Sequence, residues 1–154
     1  MAGQPVKVIA SNRKARHDYF IEDTFEAGMV LTGSEMKSVR AGQVNLKESY
    51  ALIREGEVWL VNAHIAAYKQ AARENHEPRR ERKLLLHRRE IDRLQGRVQE
   101  KGYTVVPTRL YLKQGRAKLE IALARGKKLY DKRQSLAERD SRRQVERALK
   151  EEDR

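Results

Sequence analysis

Apolar positions recur along this chain in two rhythms. The two-residue rhythm predicts strands. It starts at "VKVIA", where Val6, Val8 and Ala10 alternate with other residues. "FEAGMVLTG" predicts a second strand over Met29 to Leu31, with Gly28 and Gly33 as turn residues at its ends. "SYALIREGEVWLVNAHI" reads as a hairpin, two apolar runs meeting at Glu55-Gly56. "YTVVPTRLYLKQGRAKLEIALA" reads as a second, turning at Gln114-Gly115. There Leu110 and Leu112 share one face, while Arg109, Tyr111 and Lys113 share the other. Leu119, Ile121 and Leu123 alternate with Lys118 and Glu120, and Pro107 signals an edge or a bulge.

The three-to-four rhythm occurs twice. In "SEMKSVRAG", Met36 and Val39 form a short apolar stripe, leaving Lys37 and Arg40 outside. Ser34 is the expected N-cap, Glu35 sits where a negative charge favours the helix dipole, and Gly42 is the expected stop. In "LLLHRREIDRLQGRVQEKG", Ile91, Leu94 and Val98 form the stripe and Gly102 ends it. Between the hairpins, "AAYKQAARENHEPRRERK" keeps neither rhythm and is expected to be a long functional loop. About six short strands and two small helices predict a mainly β chain whose antiparallel strands close into a small barrel, removing exposed edges.

The strand rhythm stops at Ala124. From 125 to 154 there are eleven Lys/Arg and seven Asp/Glu, and few bulky apolar residues. Such a segment cannot bury enough to fold alone. Its helix chemistry is good: Glu138 precedes Arg142 by four, Glu146 precedes Lys150 by four, and Arg139, Arg143 and Arg147 form one basic stripe. The expected division is therefore a barrel domain over 1–124 and a basic C-terminal tail over 125–154, disordered when free and helical against an anionic partner.

The whole chain of 154 residues carries 34 Lys/Arg against 22 Asp/Glu, a net charge of +12. A field of that sign captures polyanions, with nucleic acid first and an anionic membrane second. There is no cysteine, so disulfides and thiolate metal sites are excluded. No apolar run is long enough to span a bilayer, and the N-terminal residues have no signal-like core. A cytoplasmic protein without cofactor or membrane partner is expected.

Candidate chemistry is sparse for catalysis and rich for RNA. His17, His64, His76 and His87 lack metal-site spacing. Gly126-Lys127-Lys128 superficially resembles a phosphate loop, but Ile121 stands where its first glycine belongs and Lys128 where its Ser or Thr belongs. "NRKARHDYF" combines Arg13, Lys14 and Arg16 for phosphates with His17, Tyr19 and Phe20 as flat faces for bases. "PRRERKLLLHRR" sets three leucines among Arg79, Arg80, Arg82, Lys83, Arg88 and Arg89. If Leu84 and Leu86 are core, alternation turns Leu85 outward, where it would contact an unstacked base. Glu26 is either a surface strand residue or an acceptor for a base amino group.

Taken together, "SNRKARHDYFI", "EAGMVLTGSEMKSVRAGQVNLKESYA", "RKLLLHRREI", "KGYTVVP" and "ALARGKKLYDKR" resemble the SmpB (SsrA-binding protein) family of bacterial trans-translation factors, over nearly the whole chain and in the family order. The resemblance implies an oligonucleotide-binding type β-barrel with short helices and a flexible, helix-prone C-terminal tail. It implies a non-enzymatic RNA-binding protein that binds the tRNA-like domain of transfer-messenger RNA (tmRNA, SsrA). That protein accompanies alanyl-tmRNA, with the elongation factor that delivers aminoacyl-tRNA, to stalled ribosomes. Asn12, Glu26 and Leu85 fall at family positions for tmRNA binding, with Tyr19 beside them. Arg13, Lys14, Arg16, His17, Lys37, Arg40 and Lys83 complete the expected tmRNA-binding set. Lys127, Lys128, Asp131, Lys132 and Arg133 match the tail entry that meets small-subunit rRNA at the decoding centre. Arg139, Arg143 and Arg147 would follow into the mRNA channel. Tyr130 stands where some members have histidine; both stack on bases, but only histidine carries a charge.

Two other readings share parts of this pattern. A stable ribosomal or DNA-architectural protein shares the charge and the barrel. A small RNA-processing enzyme would need a catalytic cluster that the sequence does not display.

Overall fold

The computed structural model describes residues 5–68, 75–100 and 102–127. The expected tail residues Lys128, Tyr130, Asp131, Lys132, Arg133, Arg139, Arg143 and Arg147 lie outside the described residues.

Nine strands and three helices follow one another among the described residues: β1 (Val6–Ser11), α1 (Arg13–Asp18), β2 (Tyr19–Met29), α2 (Gly33–Arg40), β3 (Val44–Asn45), β4 (Tyr50–Arg54), β5 (Glu57–Val61), β6 (His64–Ile65), β7 (Arg82–Leu85), α3 (Arg88–Val98), β8 (Tyr103–Lys113) and β9 (Arg116–Gly126). The main sheet runs β1-β8-β4-β5-β7-β2-β9, all antiparallel, and β9 pairs again with β8. That second pairing closes six strands into the expected barrel, with β1 added to one edge of β8. β3 and β6 form a separate two-stranded ribbon.

The two hairpins turn where the sequence placed them. Glu55-Gly56 (φ 53° and 74°) and Gln114-Gly115 (φ 53° and 74°) both take left-handed backbone at both central positions. That geometry matches strand twist in a two-residue turn and places glycine second. The β8–β9 register shifts between Pro107 and Arg109, the bulge that Pro107 signalled. Inward-facing Leu110, Leu119, Ile121 and Leu123 join Val58, Leu60 and Leu84 in a solvent-free core. α3 adds Ile91 and Leu94 to that core.

Several boundaries differ from the sequence reading. The second predicted strand is the tail end of a longer β2. Gly28 lies inside it rather than at a turn, and Val30 lies beyond its end, exposed. The cap of α2 is Thr32, not Ser34: its hydroxyl accepts from the Glu35 N–H while the Glu35 carboxylate accepts from the Thr32 N–H. This reciprocal capping box needs the Thr-x-x-Glu spacing. Val6 and Val8 are exposed, because β1 is an outer strand and its register shifts between Val8 and Ala10. β9 runs two residues beyond Ala124, pairing Gly126 with Tyr19. α1 was not anticipated at all. It packs outside the barrel through Ala15, against Val106 and Ala124.

Candidate nucleic-acid interface

The short helix α1 has almost no apolar period, so its position depends on its cap. The Asn12 amide oxygen accepts from the Ala15 N–H at 3.2 Å, and its nitrogen donates to the carbonyls of Pro107 (2.8 Å) and Leu46 (3.2 Å). Asn12 is buried. It thus ties α1 to β8 and to the turn before β4, and its polar atoms are consumed inside the protein. Around it, Arg13, Lys14, Arg16 and His17 are exposed. Lys14 pairs with Glu48, Arg16 approaches Glu120 at 3.7 Å, and His17 Nδ1 lies 3.0 Å from the Asp18 carboxylate. Tyr19, half-buried, packs against the Ala15 cluster.

The outer faces of β7, β2, β9 and β8 lie side by side and form one continuous surface. Phe25 and Ala27 point inward, so Glu26 points out. Tyr111 Oη donates to one Glu26 oxygen at 2.5 Å, and Lys113 Nζ lies 3.5 Å from both. The Tyr111 hydrogen bond, the largest effect, holds the Glu26 carboxyl below its ordinary value; burial opposes it, and the Lys113 charge and hydrogen bond add to the lowering. Burial, and then the Glu26 carboxylate, push the Tyr111 hydroxyl well above its own. Directly across from Glu26 on β9 stands Glu120. Opposed like charges repel, and here each has its own cations: Glu120 pairs with Arg109 at 3.1 Å and, from α1, with Arg16, and it also accepts from the Thr108 hydroxyl at 2.7 Å. The surface therefore presents an ionised acceptor at Glu26 inside a basic surround.

Leu85 completes this surface. Leu84 is buried and Leu85 is 52% exposed, as the alternation required. Its strand partner is Gly28, where an added Cβ would meet the Leu85 Cβ at 3.4 Å, so the bare backbone leaves the leucine raised above the sheet. Recesses of about 330 Å³ and 380 Å³ open on its two sides. Glu26 and His87 line the first, and Met29, Met36, Arg40 and Arg116 line the second. Arg40 thus joins Leu85. Lys37 lies elsewhere on α2, its ammonium 5.5 Å from the Tyr68 ring. Lys83, next to Leu85, pairs with Glu57 at 3.1 Å. Lys127, the first residue of the expected tail entry, donates to the Arg16 carbonyl at 3.4 Å and sits 5.3 Å over the Phe20 ring.

The arginines before the leucines divide. Arg82 is fully buried: its Nε donates to Glu35 at 2.5 Å and its Nη1 to the Ala63 carbonyl at 2.7 Å. Arg80 donates to the other Glu35 oxygen at 2.5 Å, and Arg79 to Asn62. Burial by itself would raise the Glu35 carboxyl; the hydrogen bonds from Arg80, the Thr32 N–H and Arg82 outweigh it and bring it to about 2. These residues anchor the loop before β7 and leave little of Arg82 for a ligand. Lys113, Lys118 and Glu120 are members of the surface that the sequence reading did not select, and Tyr111, itself buried, holds Glu26 there. Alternation put Tyr111 and Lys113 on one face, but nothing in the chain showed Glu26 opposite them. Among the described residues no group of three His, Cys, Asp or Glu is placed to hold a metal ion, and no helix is long and apolar enough to cross a membrane.

A closed antiparallel barrel with this outer face belongs to the class of small oligonucleotide-binding type β-barrels. Within that class the chain belongs to the SmpB protein family, whose model matches residues 9–151. It is 65% identical over 146 residues to an SsrA-binding protein of Roseiflexus castenholzii, covering 94% of this chain and 92% of the relative. It is 62% identical over 148 residues to an SsrA-binding protein of Halalkalibacterium halodurans, covering 96% of each. Among solved structures, a chain described as "tmRNA-SmpB: a journey to the center of the bacterial ribosome" superposes with a TM-score of 0.65 at 49% identity, covering 76% of this chain and 82% of that one.

Proposed function

We propose that this protein is a non-enzymatic, cytoplasmic RNA-binding factor of ribosome rescue. It binds transfer-messenger RNA through the barrel and accompanies it to stalled ribosomes. One observation carries the reading: relatives named SsrA-binding proteins match over nine-tenths of the chain at more than 60% identity. The geometry supports it, because an ionised Glu26, an exposed Leu85 and the cations of α1, β8 and β9 share one outer surface. That combination suits RNA with splayed bases, in which phosphates meet cations and unstacked bases meet apolar side chains and hydrogen-bond acceptors. In this reading Glu26 and Leu85 touch the RNA, Arg13, Lys14, Arg16 and Arg40 meet phosphates, and Asn12 acts by holding α1. The tail, from Lys127 onward, engages small-subunit rRNA and the vacant mRNA channel.

The test is selectivity at one fixed salt concentration, since phosphate contacts make affinity steeply salt-dependent. Transfer-messenger RNA should bind at least tenfold more tightly than ordinary tRNA; equal affinity would overturn the reading. Because β9 extends to Gly126, the informative truncation removes 128–154 rather than everything after Ala124. It should leave RNA affinity nearly unchanged and abolish peptide tagging on stalled ribosomes. Loss of affinity would instead assign the tail to the primary site.

A further inference from the structure

We infer that the recess beneath α1 is a pocket for one unpaired guanine base, with Tyr19 and Tyr50 as its aromatic walls and Glu48 as acceptor for the Watson–Crick edge. The inference rests on the RNA-binding reading above and deepens it. The recess measures about 380 Å³, and Lys14, Asp18 and Val106 line it with those three residues. That size lies at the small end of the roughly 300–1,000 Å³ typical of ligand clefts, suited to a single base.

Three features point to this occupant. First, Tyr50 is 42% exposed although it opens a strand whose next residue, Ala51, is buried. Alternation directs the ring outward, into the recess that Tyr19 also lines. Paired aromatic walls with an apolar floor at Val106 are what an unstacked base finds on a single-strand binding surface. Second, Glu48 holds a left-handed backbone, φ 65°. Glycine or asparagine takes that conformation more easily, so a glutamate there is not chosen for the turn. Its carboxylate is more than half exposed, and only one of its oxygens bonds Lys14 among the described residues. Third, the donor pattern selects the base. A carboxylate accepts two parallel hydrogen bonds. Guanine offers N1–H and N2–H side by side, whereas adenine and cytosine place a ring acceptor beside their amino group and uracil flanks its one donor with carbonyls. Lys14 stands at the same recess, and Arg13 and Arg16 on α1 are exposed, in position for the phosphates on either side of the base.

The experiment uses the full chain and NMR titrations at fixed salt with three hexamer RNAs, UUGUUU, UUAUUU and the inosine analogue of the first. Wild type should prefer guanine over adenine by about tenfold, with inosine between them because it lacks the N2 amino group. Tyr50→Ala and Glu48→Gln should abolish the preference with unchanged melting temperatures, and Tyr50→Phe should retain it. Equal binding of the guanine and adenine hexamers, or a preference that survives Tyr50→Ala, would overturn the pocket. A guanine preference without selectivity for transfer-messenger RNA would sink the functional reading and leave the pocket standing; the opposite pair of results would do the reverse.

Discussion

Asn12 and Leu85 invert the usual placement of their residue types. The asparagine is buried and the leucine is 52% exposed. Both polar atoms of the Asn12 side chain have partners within the protein, so this residue is held by hydrogen bonds and the region presents what the helix carries. Around Leu85 the sheet holds the backbone, and the side chain stands half exposed above Gly28. A residue needed for binding in the first region acts by position, and one in the second acts by contact. The two predict opposite pairings of stability and affinity.

The comparison can be broken most sharply at Glu35, the extreme case of a buried polar group. Glu35→Ala would leave Arg82 charged and unpaired inside the protein, and about 3–5 kcal/mol of stability should be lost. Acid should do the same gradually. The Glu35 carboxyl lies near 2 in the folded protein, below its ordinary value of 4.5. Its contribution is therefore complete above about pH 4.5 and is lost as pH falls towards 2, a slope that should be absent from the acid limb of Glu35→Gln unfolding curves. Next comes Asn12→Ala, which removes a cap and two donors; chemical denaturation should show a loss of about 2–3 kcal/mol. RNA affinity should fall with it, because α1 loses its cap and its side-chain tie to β8. An RNA-binding loss without any stability loss would mean that Asn12 touches the ligand directly. Asn12→Asp keeps the cap but turns an acceptor towards the Pro107 and Leu46 carbonyls, so it should be no more stable than alanine. Smallest in stability is Leu85→Ala, within about 0.5 kcal/mol of wild type as for other exposed positions. Its affinity for transfer-messenger RNA should nevertheless drop by roughly tenfold, the order expected for losing the burial of one leucine side chain against a base. A destabilised Leu85→Ala with normal affinity would erase the distinction.

Most of the barrel was legible because its strands are half-buried, and a half-buried strand writes its orientation into every second residue. The β8–β9 alternation fixed which residues face the core, and Leu85 was turned outward by the same logic. The features that escaped are those that local rhythm does not encode. α1 buries only Ala15, so its six residues carry no apolar period; Asn12 was its sole signal, and the cap was read only as a possible ligand contact. Glu35 was explained by the helix dipole, since its real partners, Arg80 and Arg82, lie 45 and 47 residues away. The candidate interface shows the same division. Glu26, Leu85 and the α1 cations came from residue type and resemblance, while Tyr111, Lys113 and Glu120 joined them only through closure of the barrel.

That closure has a mechanical consequence. β9 is bonded along most of its length to β2 on one side and β8 on the other, and the chain leaves the barrel at its end, where Gly126 faces Tyr19. A pull on the C-terminal residues in line with β9 would load both ladders at once, in shear, instead of peeling one bond at a time. The exit point is thus built as an anchorage: a force applied through the C-terminal segment is transmitted to the whole barrel, and to α1 beside it, before any strand gives way.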